Sequence, residues 1–126
     1  MKRLLLALAA PILFGAGACD TSPRPPGDVG VCYHYVQPAN GKPHFNVLAR
    51  NVATLEGCAA QLEAMRIHFI SLGGTSTDIT GAYQSKFLFL QQEGIFTADS
   101  LNGGSYLALV RTGDGRLAPP GSVRVQ

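Results

Sequence analysis

Three cysteines, Cys19, Cys32 and Cys58, and three histidines, His34, His44 and His68, are the side chains of this 126-residue chain best suited to form a bond or hold an ion. An odd number of cysteines requires one of them to do something other than pair within the chain. His34 and His44 flank a turn-forming stretch. A hairpin that pairs Val36 with His44 sets His34 opposite Asn46 and leaves the two imidazoles diagonal on one face, close enough to approach a common metal ion. Zinc needs further ligands, and no Cys-x-x-Cys, His-x-x-x-His or His-Glu-x-x-His spacing supplies them. The stronger reading is two polar residues on a solvated face, with no metal and no cofactor. His68 falls on the polar side of a helix and reads as a surface residue.

Nucleophilic chemistry finds no setting. No serine stands in a Gly-x-Ser-x-Gly elbow. The carboxylates Glu56, Glu63, Asp78, Glu93, Asp99 and Asp114 are scattered, with no spacing that marks an acid/base pair. Gly73-Gly74-Thr75 and Gly113-Asp114-Gly115 lack the Gly-Lys-Ser/Thr end of a phosphate loop and read as turns. No catalytic residue is assigned.

The element that must position these groups is Thr54–Leu72, the one clear amphipathic helix. Leu55, Cys58, Leu62, Met65 and Phe69 recur at steps of three and four and share a narrow face. Thr54 is a suitable N-cap, Glu56 suits the positive end of the helix dipole, and Gly73-Gly74 supplies a stop. Around it, Val29–Val36 and His44–Val52 read as strands, joined by a loop holding Asn40-Gly41 and two prolines. Ala82–Glu93 holds the strongest strand, centred on Lys86–Leu90; Gly94–Ala98 is a short one, and Ser105–Thr112 the last. The expected fold is α+β: a mainly antiparallel sheet of four to five strands with one helix on one face, in the order ββαβββ. Four apolar residues in a row at Phe87–Leu90 imply cover on both faces, from a curled sheet or from a partner.

Composition sets the frame. Lys2 and Arg3, an eleven-residue apolar run over Leu4–Phe14, and the small residues Ala16-Gly17-Ala18 make residues 1–18 a secretory signal peptide. Ten Lys/Arg less those two leaves eight, against eight Asp/Glu, so the exported chain is formally neutral. No basic patch argues for nucleic acid. Residues 19–28, with three prolines, read as a tether, residues 29–112 as a single domain, and residues 113–126 as an irregular tail.

Ala16-Gly17-Ala18-Cys19 resembles the lipobox of bacterial lipoproteins, in which the cysteine after the cut carries lipid. The resemblance covers the first twenty residues. It implies lipidation of Cys19 and attachment to a membrane, and Asp20 resembles the inner-membrane retention signal of some bacterial lipoproteins. If Cys19 carries lipid, Cys32 and Cys58 remain as a disulfide pair, which an oxidising compartment favours; the alternative leaves Cys19 as a free thiol. One geometric tension stands against the pair. If Val31, Tyr33 and Tyr35 face the core with Phe45, Val47 and Ala49, Cys32 points away from the helix bearing Cys58, unless a bulge intervenes.

The sequence therefore predicts an exported binding or structural module of the bacterial envelope, membrane-anchored or free in the periplasm, with a possible protein partner. The rivals are a secreted inhibitor presenting Gln37–Pro43 or Thr75–Gly81, a small hydrolase, and a metal binder using His34 and His44.

Overall fold

The computed structural model describes residues 22–75 and 77–121. The expected signal peptide, Cys19 and the last five residues lie outside them. Seven strands and one helix follow in the order β1 Cys32–Val36, β2 His44–Ala49, α1 Leu55–Ser71, β3 Ile79–Tyr83, β4 Lys86–Gln91, β5 Gly94–Ala98, β6 Tyr106–Arg111 and β7 Leu117–Ala118. The strands form one sheet, ordered β2-β1-β3-β4-β5-β6-β7, and every neighbouring pair is antiparallel.

The α+β class with one helix and an antiparallel sheet holds; the count of four to five strands and the order ββαβββ do not. Two strands were hidden. Ile79–Tyr83 forms β3, and it meets β4 through the two-residue turn Gln84-Ser85. Both turn residues have positive φ, 43° and 68°, the geometry whose twist matches a hairpin. Asn-Gly normally announces such a turn, and Gln-Ser does not. The other hidden strand is β7, inside the stretch expected to be irregular.

The helix obeys its local signals. Thr54 accepts a hydrogen bond from the Gly57 amide at 3.0 Å. At the far end, the Gly74 amide donates to the Phe69 carbonyl at 2.9 Å and the Gly73 amide to the Ile70 carbonyl at 3.0 Å. Gly73 sits at φ 88°, which completes a Schellman termination. The helix lies directly on β3. A Cβ at Gly81 would stand 2.3 Å from Leu62 Cδ1 and 2.7 Å from the Tyr33 carbonyl, so only glycine permits this approach.

The sheet separates two cores. Under the helix, Cys32, Cys58, Ala59, Leu62, Ile79, Tyr83, Leu88, Leu90, Ile95 and Leu109 pack together. On the opposite face, Val31, Tyr33, Tyr35, Ala82 and Phe87 are buried, with Phe45, Phe89 and Leu101 against them. The second core forms because the sheet curls. Phe45 on β2 and Phe87 on β4 have ring centroids 6.1 Å apart, although three strand steps of about 4.8 Å separate their strands. Bulges support the curl: Leu48 is the extra residue between β1 and β2, and Ala108 between β5 and β6.

This corrects the expected facing of β1. Tyr33 and Tyr35 do share a face with Phe45 and Val47, but that face is the aromatic core away from α1. Cys32 therefore faces the helix with no bulge in β1 itself, and beyond the bulge Ala49 joins the helix side. Residues 22–28, expected as a tether, run along the domain. Pro26 O accepts from the Ser85 amide at 2.9 Å, and Asp28 accepts from the Tyr33 hydroxyl at 2.5 Å.

Candidate functional site

The disulfide is the one sequence-named pair that the fold brings together. Cys32 and Cys58 are bonded, with Cα atoms 5.3 Å apart, and both are completely buried. The bond staples the first turns of α1 to β1 in the middle of the helix-side core, where no solvent thiol can reach it without unfolding.

The histidines do not assemble a centre. The register Val36↔His44 and His34↔Asn46 is as the hairpin predicts, and among the described residues no three His, Cys, Asp or Glu side chains group around a common point. His68 is exposed on α1, in its last turn. His34 is different. It lines a cleft of about 340 Å³ with Phe69, Gly74, Thr75, Asp78 and Ile79, beneath the C-terminal end of the helix. Partial burial lowers its pKa from 6.5, because the charged imidazolium loses hydration there.

The most developed polar cluster is one that sequence reasoning did not assemble. Glu63 and Arg66, one turn apart on α1, are both buried. Arg66 donates to Glu63 Oε1 at 2.8 Å and to the Thr77 carbonyl at 2.5 Å. Arg111, on β6, donates from Nε to Glu63 Oε2 at 2.8 Å and from Nη1 to the carbonyls of Gln91 and Gln92 at 2.6 and 3.1 Å. Its Nη2 lies 2.7 Å from the same carboxylate oxygen, a charge contact that lacks hydrogen-bond alignment. Glu63 thus binds a guanidinium at each oxygen. Through it α1 is tied at once to the loop before β3, to β6 and to the β4–β5 turn. The spacing Glu63-x-x-Arg66 was the available signal, but on a helix it reads equally well as a solvated pair.

This clasp floors an open groove between α1 and the β6–β7 hairpin. One part, about 330 Å³, is lined by Glu56, Ala60, Glu63, Ala64, Ile67, Gly115, Arg116 and Leu117. An adjoining part of about 220 Å³ adds Arg111 and Gly113. The combined space is of ligand size, with apolar walls and a rim that carries Glu56 and Arg116. Arg66 and Arg111 take both oxygens of Glu63, so its carboxylate is fixed as part of the groove floor. Both the groove and the His34 cleft are formed by segments distant in sequence, which is why no short motif marked them.

No protein-family model matches the chain, and neither a curated protein nor a solved structure matches it.

Proposed function

We propose that this chain is a small exported binding module of the bacterial envelope, held at a membrane through lipid on Cys19. The observation that carries the reading is the wholly buried Cys32–Cys58 bond. Such bonds form and persist outside the reducing cytoplasm. The basic and apolar leader over residues 1–18 supplies the route. Pairing of Cys32 with Cys58 leaves Cys19 as the odd cysteine, directly after Ala16-Gly17-Ala18. Loss of the leader leaves no net charge, which removes the electrostatic footprint expected of a nucleic-acid binder.

The partner is a protein of the envelope, and the groove between α1 and the β6–β7 hairpin is where a segment of it enters. Ala60, Ala64, Ile67 and Leu117 offer apolar contact, while Glu56 and Arg116 offer charge of both signs at the rim. Intact mass of the protein from membrane and soluble fractions tests the anchoring. A membrane form beginning at Cys19, heavier by a diacylglyceryl group and an acyl chain, and gaining mass on alkylation in denaturant only after reduction, is the expected result. A chain that retains residue 1, stays soluble and alkylates without reduction overturns it.

A small hydrolase is the second reading, favoured by one observation: His34, Thr75 and Asp78 line a single cleft. It ranks lower because no hydrogen bond orients the His34 ring among the described residues, and a general base needs one. Ester hydrolysis by the purified protein that disappears in His34→Ala would reverse this ranking.

A further inference from the structure

The sheet has two outer edges, and they are treated differently. On β2, the exposed His44 and Asn46 lie in the strand and Lys42 and Arg50 flank it, the polar and cationic dressing that keeps an edge from pairing. On β6 the run Tyr106-Leu107-Ala108-Leu109-Val110 carries no charge, and Tyr106 and Leu107 are 75% and 42% exposed. The last strand covers only part of this edge. β7 pairs with Val110 and Arg111 alone. It ends because Pro119 and Pro120 follow, and proline has no amide to donate to a ladder. Among the described residues, the outer edge of Ser105–Leu109 has no strand beside it.

We infer that this open edge is a homodimer interface, in which β6 of one copy pairs antiparallel with β6 of a second copy about a two-fold axis through Leu107. The geometry defines a socket five residues long. With Leu107 opposite its own copy, Tyr106 pairs with Ala108 and Ser105 with Leu109. The next position of the incoming chain would meet β7, but that position is Gly104, where the backbone has open space and can bend away. Charge does not oppose the same partner. Nothing charged lies within the socket, and Arg111, the first charge beyond it, is already bound to Glu63. Pairing of two β2 edges would instead bring Lys42, His44 and Arg50 together. A β2-to-β6 contact would be head-to-tail and would not close. The paired edges would also join the aromatic faces of the two copies at Leu107, which sits beside Phe96. A contact of this length falls below the ~1,200 Å² of stable complexes, so the dimer is reversible and depends on concentration. The inference does not rest on lipidation of Cys19.

Leu107→Cys in a full chain carrying Cys19→Ser is the test, with Cys19→Ser alone and Cys19→Ser with Val47→Cys on the β2 edge as controls. Opposed residues in an antiparallel pair have Cα atoms about 4.5–5.5 Å apart, within disulfide reach. Detergent-extracted protein is oxidised with copper phenanthroline, so crosslinking does not require export. Crosslinked dimer from Leu107→Cys, absent from both controls, is expected. Sedimentation of the parent should then show a monomer–dimer equilibrium that Leu107→Lys shifts at least tenfold towards monomer, with its circular dichroism unchanged. Crosslinking through Val47 instead, or a parent that sediments as monomer up to millimolar concentration, would overturn the inference.

Discussion

The two faces of the sheet reach burial by opposite means. The face under α1 is covered by another element and is heterogeneous: aliphatic side chains, a disulfide, and a buried carboxylate between two guanidiniums. The other face has no helix and is mostly aromatic. Tyr35, Phe45, Phe87 and Phe89 meet at centroid distances of 5.1 to 6.1 Å. A helix brings backbone ends and loops that need polar partners, so the face beneath it carries polar anchoring. A curl brings only side chains inward, so rings large enough to meet across the concavity suffice. The second face is thus closed by shape, the first by ties.

If that contrast is right, the deepest loss comes from cutting a tie. Glu63→Ala strands the Arg66 and Arg111 guanidiniums and is expected to cost towards the upper end of about 3–5 kcal/mol, read as a lower urea midpoint. Replacing all three together, with Glu63→Leu, Arg66→Met and Arg111→Met, should recover most of that loss. If Glu63→Ala costs less than the noise of the measurement, the clasp is ornamental and the contrast fails on its first face. The second face is probed by Phe87→Ala. Phe87 is completely buried and touches Tyr35, Phe45 and Phe89, so a cavity cost in the middle of about 3–5 kcal/mol is expected. A loss under about 1 kcal/mol would mean that the aromatic face is a surface and not a core.

The disulfide sharpens the comparison because it belongs to one face only. The bonded cysteines are 26 residues apart, and loop-closure entropy for that length corresponds to about 3.5 kcal/mol. Cys32→Ala with Cys58→Ala should lose close to this amount, and equilibration with strong reductant should lower the parent's midpoint to a similar degree. Retention of the parent midpoint under reductant would show that the helix is held by packing and the ion clasp alone.

These ties were only partly legible. The β1–β2 register, the Thr54 cap, the glycine stop and the existence of α1 follow from local rules, since each depends on residues within a turn or a hairpin of one another. The facing of β1 was inverted because the sequence offers two apolar faces and the aromatic one is the more conspicuous. The Glu63–Arg66 clasp was not legible because its burial depends on Arg111, 48 residues away from Glu63. Tyr83-Gln84-Ser85-Lys86 hid a hairpin because its positive-φ positions hold residues that seldom adopt them. The groove and the His34 cleft need the chain folded before they exist.

His34 stands where the comparison breaks down, on the helix side of β1 but beyond the part of α1 that packs closely. Phe69 above it falls on the predicted apolar stripe yet remains 46% exposed, so the last turns of the helix roof a cleft in place of sealing a core. Burial lowers the His34 pKa below its ordinary 6.5. The unfolded chain therefore binds more protons than the native one as pH falls below about 6.5. Stability from this group is fully present above that pH and declines on acidification towards the lowered native pKa. The ring is open enough for solvent to screen it, so the effect should be the smallest of the four, well under about 1 kcal/mol. It is isolated by comparing the parent with His34→Gln across pH 7.5 to 5: the parent's unfolding midpoint should fall more steeply than the variant's. Parallel profiles would place the ring effectively in water and remove the cleft as a distinct environment. A steeper variant would mean that the native fold prefers the imidazolium, which would point to Asp78, on the same cleft wall, as its partner.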